Sequence, residues 1–147
     1  MQALDNILDA INVHAIDVHA DYLGGAPLAL VSSLATLAAT VEKTHGQHAQ
    51  QLFSHLRARG AILSIYMCVG HREPKVHRPA LMLLASLTTS DVDTTGAAAT
   101  LEALSRCGSF HLVLPHLFSS SVLTVALACA VCQNACTHLE LVHAVQS

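Results

Sequence analysis

Apolar residues recur along the chain at the three- and four-residue spacing of an α-helix. No segment alternates between apolar and polar residues over the length of a strand. The pattern therefore predicts an all-α fold. The strongest apolar positions of the first two segments form one stripe each: Leu4, Ile7, Leu8 and Ile11, then Leu30, Leu34, Leu37 and Val41.

Glycine, proline and polar clusters divide this pattern into separate helices. Breaks are predicted at ADYLGGAP, THGQH, GHREP and TSDVDTTG. Pro79 is expected in the first turn of its helix, where a proline ring is tolerated. Asp91 and Asp93 are expected to cap a helix or form a turn. The predicted helices cover residues 26–40, 47–58, 61–69, 75–88, 97–106, 109–118 and 122–136.

Two segments share one plan at a period of about 46 to 48 residues. RARGAILSIYMCVGHREPKVHRPALMLLASLT and SRCGSFHLVLPHLFSSSVLTVALACAVCQN each have a short helix that ends at a glycine, a second apolar helix, a polar turn and a longer helix. Residues 26–35 resemble a third copy of the longer helix. Helical units with a period in the forties are typical of armadillo and HEAT solenoids.

The segment ARGAILSIYMCVGHREPKVHRPALMLLASL resembles an armadillo repeat in its glycine, its EPKV turn and its third helix. The resemblance extends over residues 24 to 136. It implies an armadillo-like right-handed α-solenoid of about two to three three-helix repeats. The chain would then be a single domain, 1–147, with a partial repeat at 1–40, repeats at 47–90 and 95–136, and the start of another at 137–147.

The same resemblance implies a non-enzymatic protein that binds other proteins as a scaffold, an adaptor or a subunit of a larger complex. Peptide-binding members of the family line a concave groove with asparagine and tryptophan from their third helices. This chain has no tryptophan, and serine or cysteine replaces the asparagines, so that mode of peptide binding is not expected. The third-helix residues predicted to line the concave side are Ser33, Met82, Ser86, Ala128 and Cys132.

The composition also favours a protein partner. Only 12% of the residues are charged, against about 25% in an average domain, so the chain cannot cover its surface with charge. The net charge of −3 and the lack of aromatic residues arranged for base stacking argue against nucleic acid. A basic cluster is predicted to be the electrostatic contact with the partner: Arg57, Arg59, Arg72, Lys75 and Arg78.

Two uncharged stretches raise membrane contact as an alternative. Residues 23–41 approach the length of about 20 residues that spans a bilayer, but glycine, proline and small polar residues favour a helix packed between other helices. Residues 107–132 are interrupted by Pro115 and a serine run. A membrane-associated subunit with either stretch against lipid is therefore the second hypothesis. Five cysteines without a disulfide framework, and no leader pattern, favour an intracellular location; the cytoplasm is expected, and an organelle stays open.

Three cysteines near the end of the chain raise a metal or redox site as a third hypothesis. Cys129, Cys132 and Cys136 share one face of a helix, but the outer two are about 10 Å apart along its axis, too far to enclose a tetrahedral ion readily. Cysteine is commonly buried as a small apolar residue, so these three are expected in the core. No metal and no cofactor are predicted.

The remaining polar residues form no recognised catalytic arrangement. Eleven histidines occur, but no HExxH motif, no GxSxG motif and no phosphate-binding glycine loop. Surface or helix-packing roles are expected for the histidines. The pairs Asp5/Asp9 and Asp17/Asp21 are expected to form a solvated acidic face. The sequence therefore predicts that the protein is not an enzyme.

Overall fold

A computed structural model describes residues 2–15, 25–106 and 110–146, with side chains up to 139 in the last helix. These residues contain helices and turns but no strand, which confirms the all-α prediction for that part of the chain. Asp17, Asp21 and Cys107 lie outside the described residues. The helices are α1 Gln2–Ala15, α2 Leu28–Lys43, α3 Gly46–Ala58, α4 Ala61–Val69, α5 Pro74–Thr88, α6 Thr94–Ser105, the 3₁₀ helix η1 Leu114–Phe118, and α7 Val122–Gln146.

The two apolar stripes of the first helices face the core, as predicted. In α1, Leu8 and Ile11 are fully buried, while Leu4 and Ile7 pack against the core at its edge. All four stripe residues of α2 are buried. The helical period therefore identifies correctly which side of these two helices is internal.

Helix α5 is the centre of the packing. It contacts α2, α4, α6 and α7. Its buried side includes Leu81, Leu84 and Leu87, which join one core cluster with residues from α1 to α7. The three long helices therefore contact one another in chain order, α2 with α5 and α5 with α7.

Many long-range hydrogen bonds join residues separated by nearly the same number of positions. Most of these bonds join a side chain of one segment to a backbone carbonyl, a backbone amide or a side-chain hydroxyl of another segment. The separations of the long-range hydrogen bonds range from 36 to 52 positions, and several are 46 or 47. Each of the following pairs is 46 or 47 positions apart: Asn12–Arg59, Ala26–Glu73, Val69–His116, Arg78–Thr124 and Thr88–Asn134.

Three details differ from the sequence-based expectation. Within the predicted helix at 109–118, residues 110–113 form a turn that is followed by η1; Phe110 has a positive φ of 65°, and Pro115 lacks a backbone donor. Pro79 lies in the second turn of α5, since that helix begins at Pro74. Helix α7 continues through 137–146 without the predicted break, because no glycine or proline interrupts it.

Candidate protein-binding surface

An exposed apolar patch lies where η1 meets the start of α7. We call Phe118, Val122 and Leu123 the terminal apolar patch; their exposed fractions are 89%, 85% and 57%. From Phe118 to Leu139 the chain carries no Asp, Glu, Lys or Arg. Large exposed apolar residues beside an uncharged helix face are typical of a surface that another molecule covers.

The exposure follows from the composition of α7. Small and apolar residues occupy every side of α7, so each side of the helix favours burial. Thr124, Ala128 and Val131 are buried, and α7 contacts α5, α6 and η1. Its opposite face remains exposed and continues the terminal apolar patch along the helix.

The same helix has the dimensions of a membrane span. Val122–Leu139 comprises 18 residues with a mean hydropathy of 1.5, of which 17% are buried. Within the described ranges it is the one helix long and apolar enough to cross a bilayer. Core helices of water-soluble proteins meet the same criterion, so length and composition do not decide between lipid and protein.

The cysteines of α7 are not in the core, contrary to the sequence-based expectation. Cys129 and Cys136 are exposed, and Cys132 is half-buried. Burial, followed by the neighbouring thiolates of Cys129 and Cys136, raises the pKa of Cys132. Cys132 is therefore mostly a thiol at neutral pH and a weak nucleophile. Among the residues whose side chains are described, no group of three or more His, Cys, Asp or Glu is arranged to hold a metal ion.

The predicted concave ladder is only partly accessible. Ser33 on α2, Met82 and Ser86 on α5, and Cys132 on α7 are half-buried on helices that contact in sequence. Ala128 is fully buried because it belongs to the stripe of α7 that packs into the core. Its side chain is therefore not part of the candidate surface.

Asp5 and Asp9 of α1 bind basic residues at the end of α3, and Asp9 remains exposed to solvent. Asp5 Oδ1 lies 2.7 Å from His55 Nε2, and Asp9 accepts a hydrogen bond from Arg59. The hydrogen bond from His55, together with the charge of Arg59, outweighs desolvation and lowers the pKa of Asp5. Arg59, predicted to contact a partner, thus stabilises the contact of α1 with residues 55–59.

Arg57 is also used inside the molecule. Its Nη2 donates to Asp93 Oδ2 over 3.0 Å, and the Oδ1 of Asp93 accepts from the Gly96 N–H, also over 3.0 Å. Asp93 is therefore the N-cap of α6, as expected from the sequence. The ion pair joins α3 to the start of α6.

Of the three other residues in the basic cluster, one contacts another helix and two are exposed. Arg78 donates to Thr124 Oγ1 over 3.1 Å and to Ser121 Oγ over 3.0 Å, which ties α5 to the start of α7. Arg72 and Lys75 are exposed. Three of the five predicted contact residues, Arg57, Arg59 and Arg78, therefore stabilise contacts between helices.

An open groove runs along α3 beside the Arg57–Asp93 pair. Its volume is about 610 Å³. Binding pockets for small molecules are usually enclosed, whereas this groove is open to solvent. The lining residues are Gln47, Gln50, Gln51, Ser54, His55, Arg57, Ala58 and Asp93.

Sequence reasoning did not identify the terminal apolar patch. Its residues follow a proline and a serine run, a context in which exposed apolar side chains have no periodic signature. Comparison with family models, with curated proteins and with solved structures finds no match. The functional argument therefore depends on the geometry of the chain itself.

Proposed function

We propose that this chain is an armadillo-like helical-repeat protein, without enzymatic activity, that binds another protein through the terminal apolar patch and the outer face of α7. The contact order α2, α5, α7 supports the repeat arrangement. The hydrogen bonds between residues 46 or 47 positions apart support the repeat length. In stacked repeats each unit buries a face of its neighbour, so the outer face of α7, which α5, α6 and η1 leave exposed, is suited to burial against a further surface.

The observation that carries this proposal is the exposure of Phe118, Val122 and Leu123 beside a helix face without charge. Interface centres are depleted in charged residues and enriched in aromatic and large apolar side chains. The partner is therefore a protein with an apolar surface, and the chain is a subunit or scaffold in a larger assembly. Ser33, Met82, Ser86 and Cys132 are proposed to line the adjoining concave side.

The exposed thiols support a reducing, intracellular location. Cys129 and Cys136 are both accessible on α7. In an oxidising compartment accessible thiols form disulfides with other molecules, whereas the cytosol keeps them reduced. We propose the cytoplasm on this ground.

A matched pair of variants tests the binding surface. Val122→Glu places a carboxylate in the patch, and we expect at least a tenfold loss of partner capture, since a desolvated charge costs about 1.4 kcal/mol or more. The fold should be retained, because the side chain is exposed and acidic residues suit a helix start. The measurement is quantitative mass spectrometry of proteins captured with tagged wild type and variant.

The control is Leu28→Glu. Leu28 is 82% exposed and is the first residue of α2, as Val122 is of α7. The control should capture the same partner as the wild type. Equal capture by Val122→Glu and wild type would show that the patch is not the interface.

The competing function is membrane association through α7, which the length and hydropathy of Val122–Leu139 favour. Flotation with vesicles of neutral phosphatidylcholine separates the two functions. A protein-binding patch predicts that the purified chain stays with the soluble fraction. Stable flotation that Val122→Glu abolishes would replace a protein partner with lipid.

A further inference from the structure

Three histidines lie where α4, α5 and η1 meet. We call His71, His77 and His116 the histidine seam. His71 is in the turn after α4, His77 is near the start of α5, and both are buried, with 8% and 7% of their surface exposed. His116 is in η1, and its ring centroid is 4.4 Å from that of His77.

Backbone hydrogen bonds fix the three rings. His116 Nε2 lies 2.6 Å from the carbonyl oxygen of Val69, the last residue of α4. His77 Nδ1 lies 2.8 Å from the carbonyl oxygen of His71. A carbonyl can only accept, so both ring nitrogens carry a proton. His71 Nδ1 accepts from the Glu73 N–H over 3.0 Å, so that nitrogen has a lone pair.

This geometry disfavours a positive charge on His77. Burial lowers the pKa of His77 below its usual 6.5, while the hydrogen bond to the His71 carbonyl acts in the opposite direction. The charges that act on His77 come from His116 on η1, Arg78 on α5 and His71 in the turn, and all three lower its pKa further. The start of α5 also contributes a positive helix-dipole end.

The Glu73 carboxylate is not among the charges that act on His77. Glu73 Oε1 accepts from the Ala26 N–H over 3.1 Å, in the segment before α2. Charging His77 therefore places a buried cation beside Arg78 and 4.4 Å from the His116 ring.

We propose that the histidine seam is a pH-sensitive latch, which holds η1 against the end of α4 when His77 is neutral and releases η1 when His77 is protonated. Hydration of a charged His77 requires η1 to move away from it, and this movement opens the His116–Val69 bond, although the His116 Nε2–H remains a donor. Only the consequence for partner binding, through Phe118 at the end of η1, depends on the proposed function.

The direction with pH follows from the lowered pKa of His77. When the folded pKa is below the unfolded value, the unfolded or open state binds more protons. The stabilisation is complete above about pH 6.5 and is lost as the pH falls through the folded pKa. Acidification from pH 7.5 to 5.5 therefore favours the open latch.

Amide hydrogen exchange of the whole chain tests the latch. The reporters are the amides of His116 and Ser119, which donate to Val113 and His116 in and after η1. After correction for intrinsic rates, we expect their protection factors to fall at least about fivefold from pH 7.5 to 5.5, within the limit of about tenfold per pH unit for one proton. The amides of α3 should change less than about twofold.

His77→Gln removes the titrating ring but keeps an amide that can donate to the His71 carbonyl, and His48→Gln on the exposed side of α3 is the matched control. The first variant should lose the pH response, and the second should keep it. An equal response in His77→Gln and wild type, no response in wild type, or a parallel fall in α3 would each overturn the latch. If His77→Gln does not fold, His77→Asn is read by the same criteria.

Discussion

Leu84→Ala is expected to lower the free energy of unfolding by about 3 to 5 kcal/mol, the upper part of the range for a buried leucine. Leu84 is fully buried in α5, the helix that contacts α2, α4, α6 and α7. Neighbours from four helices cannot all relax into the space that the lost side chain leaves. The measurement is urea unfolding followed by circular dichroism.

Met82→Ala is the matched control, two residues away in the same helix. Met82 is half-buried and only packs against the edge of the core. Its truncation should cost less than about 1.5 kcal/mol, since little new cavity forms. Equal losses at Leu84 and Met82 would show that α5 is not the centre of the core.

The sequence predicts the interior of the strongly patterned helices. The buried residues include Leu8 and Ile11 in α1 and the stripe of α2. Charged and polar residues occupy the opposite side of each helix, so only one side can be buried. Asp93 was predictable as a cap because aspartate before a small-residue helix satisfies free backbone donors.

The sequence does not predict the orientation of α7. Cys129 and Ala128 are neighbours of similar size, yet the first is exposed and the second buried. In a helix that is apolar on all sides, periodicity contains no information about which face meets the core. The terminal apolar patch depends on that orientation, so it emerges only from the three-dimensional structure.

The sequence also does not predict the contacts between helices that are distant in the chain. The sequence neighbours of Arg57 and Arg59 do not mark these residues as internal, and their carboxylate partners are 36 and 50 positions away. Local spacing identifies pairs three or four residues apart, whereas these pairs form only when segments distant in sequence pack together. Most residues of the predicted basic contact surface therefore form hydrogen bonds or ion pairs within the protein.

Asp93→Ala is the second substitution for which we expect a large effect, a loss of about 2 to 4 kcal/mol in the free energy of unfolding. The change removes the cap of α6 and the partner of Arg57 at once. Only 22% of the Arg57 side chain and 20% of that of Asp93 are exposed, so water replaces the lost pair poorly. Arg57 Nη1 is buried without a hydrogen-bond partner among the described residues, which adds to the cost of an unpaired charge.

A double-mutant cycle separates the two contributions. Asp93→Asn keeps an oxygen for the Gly96 N–H and should lose only the ion-pair part, about half of the total. Arg57→Met in the Asp93→Ala background removes the orphaned charge and should recover at least about 1 kcal/mol. Gly96→Ala should resemble the loss of the pair, because an added methyl group would overlap the Asp93 carboxylate and the Arg57 guanidinium. Strictly additive losses for Asp93→Ala and Arg57→Met would show that the ion pair does not couple α3 to α6.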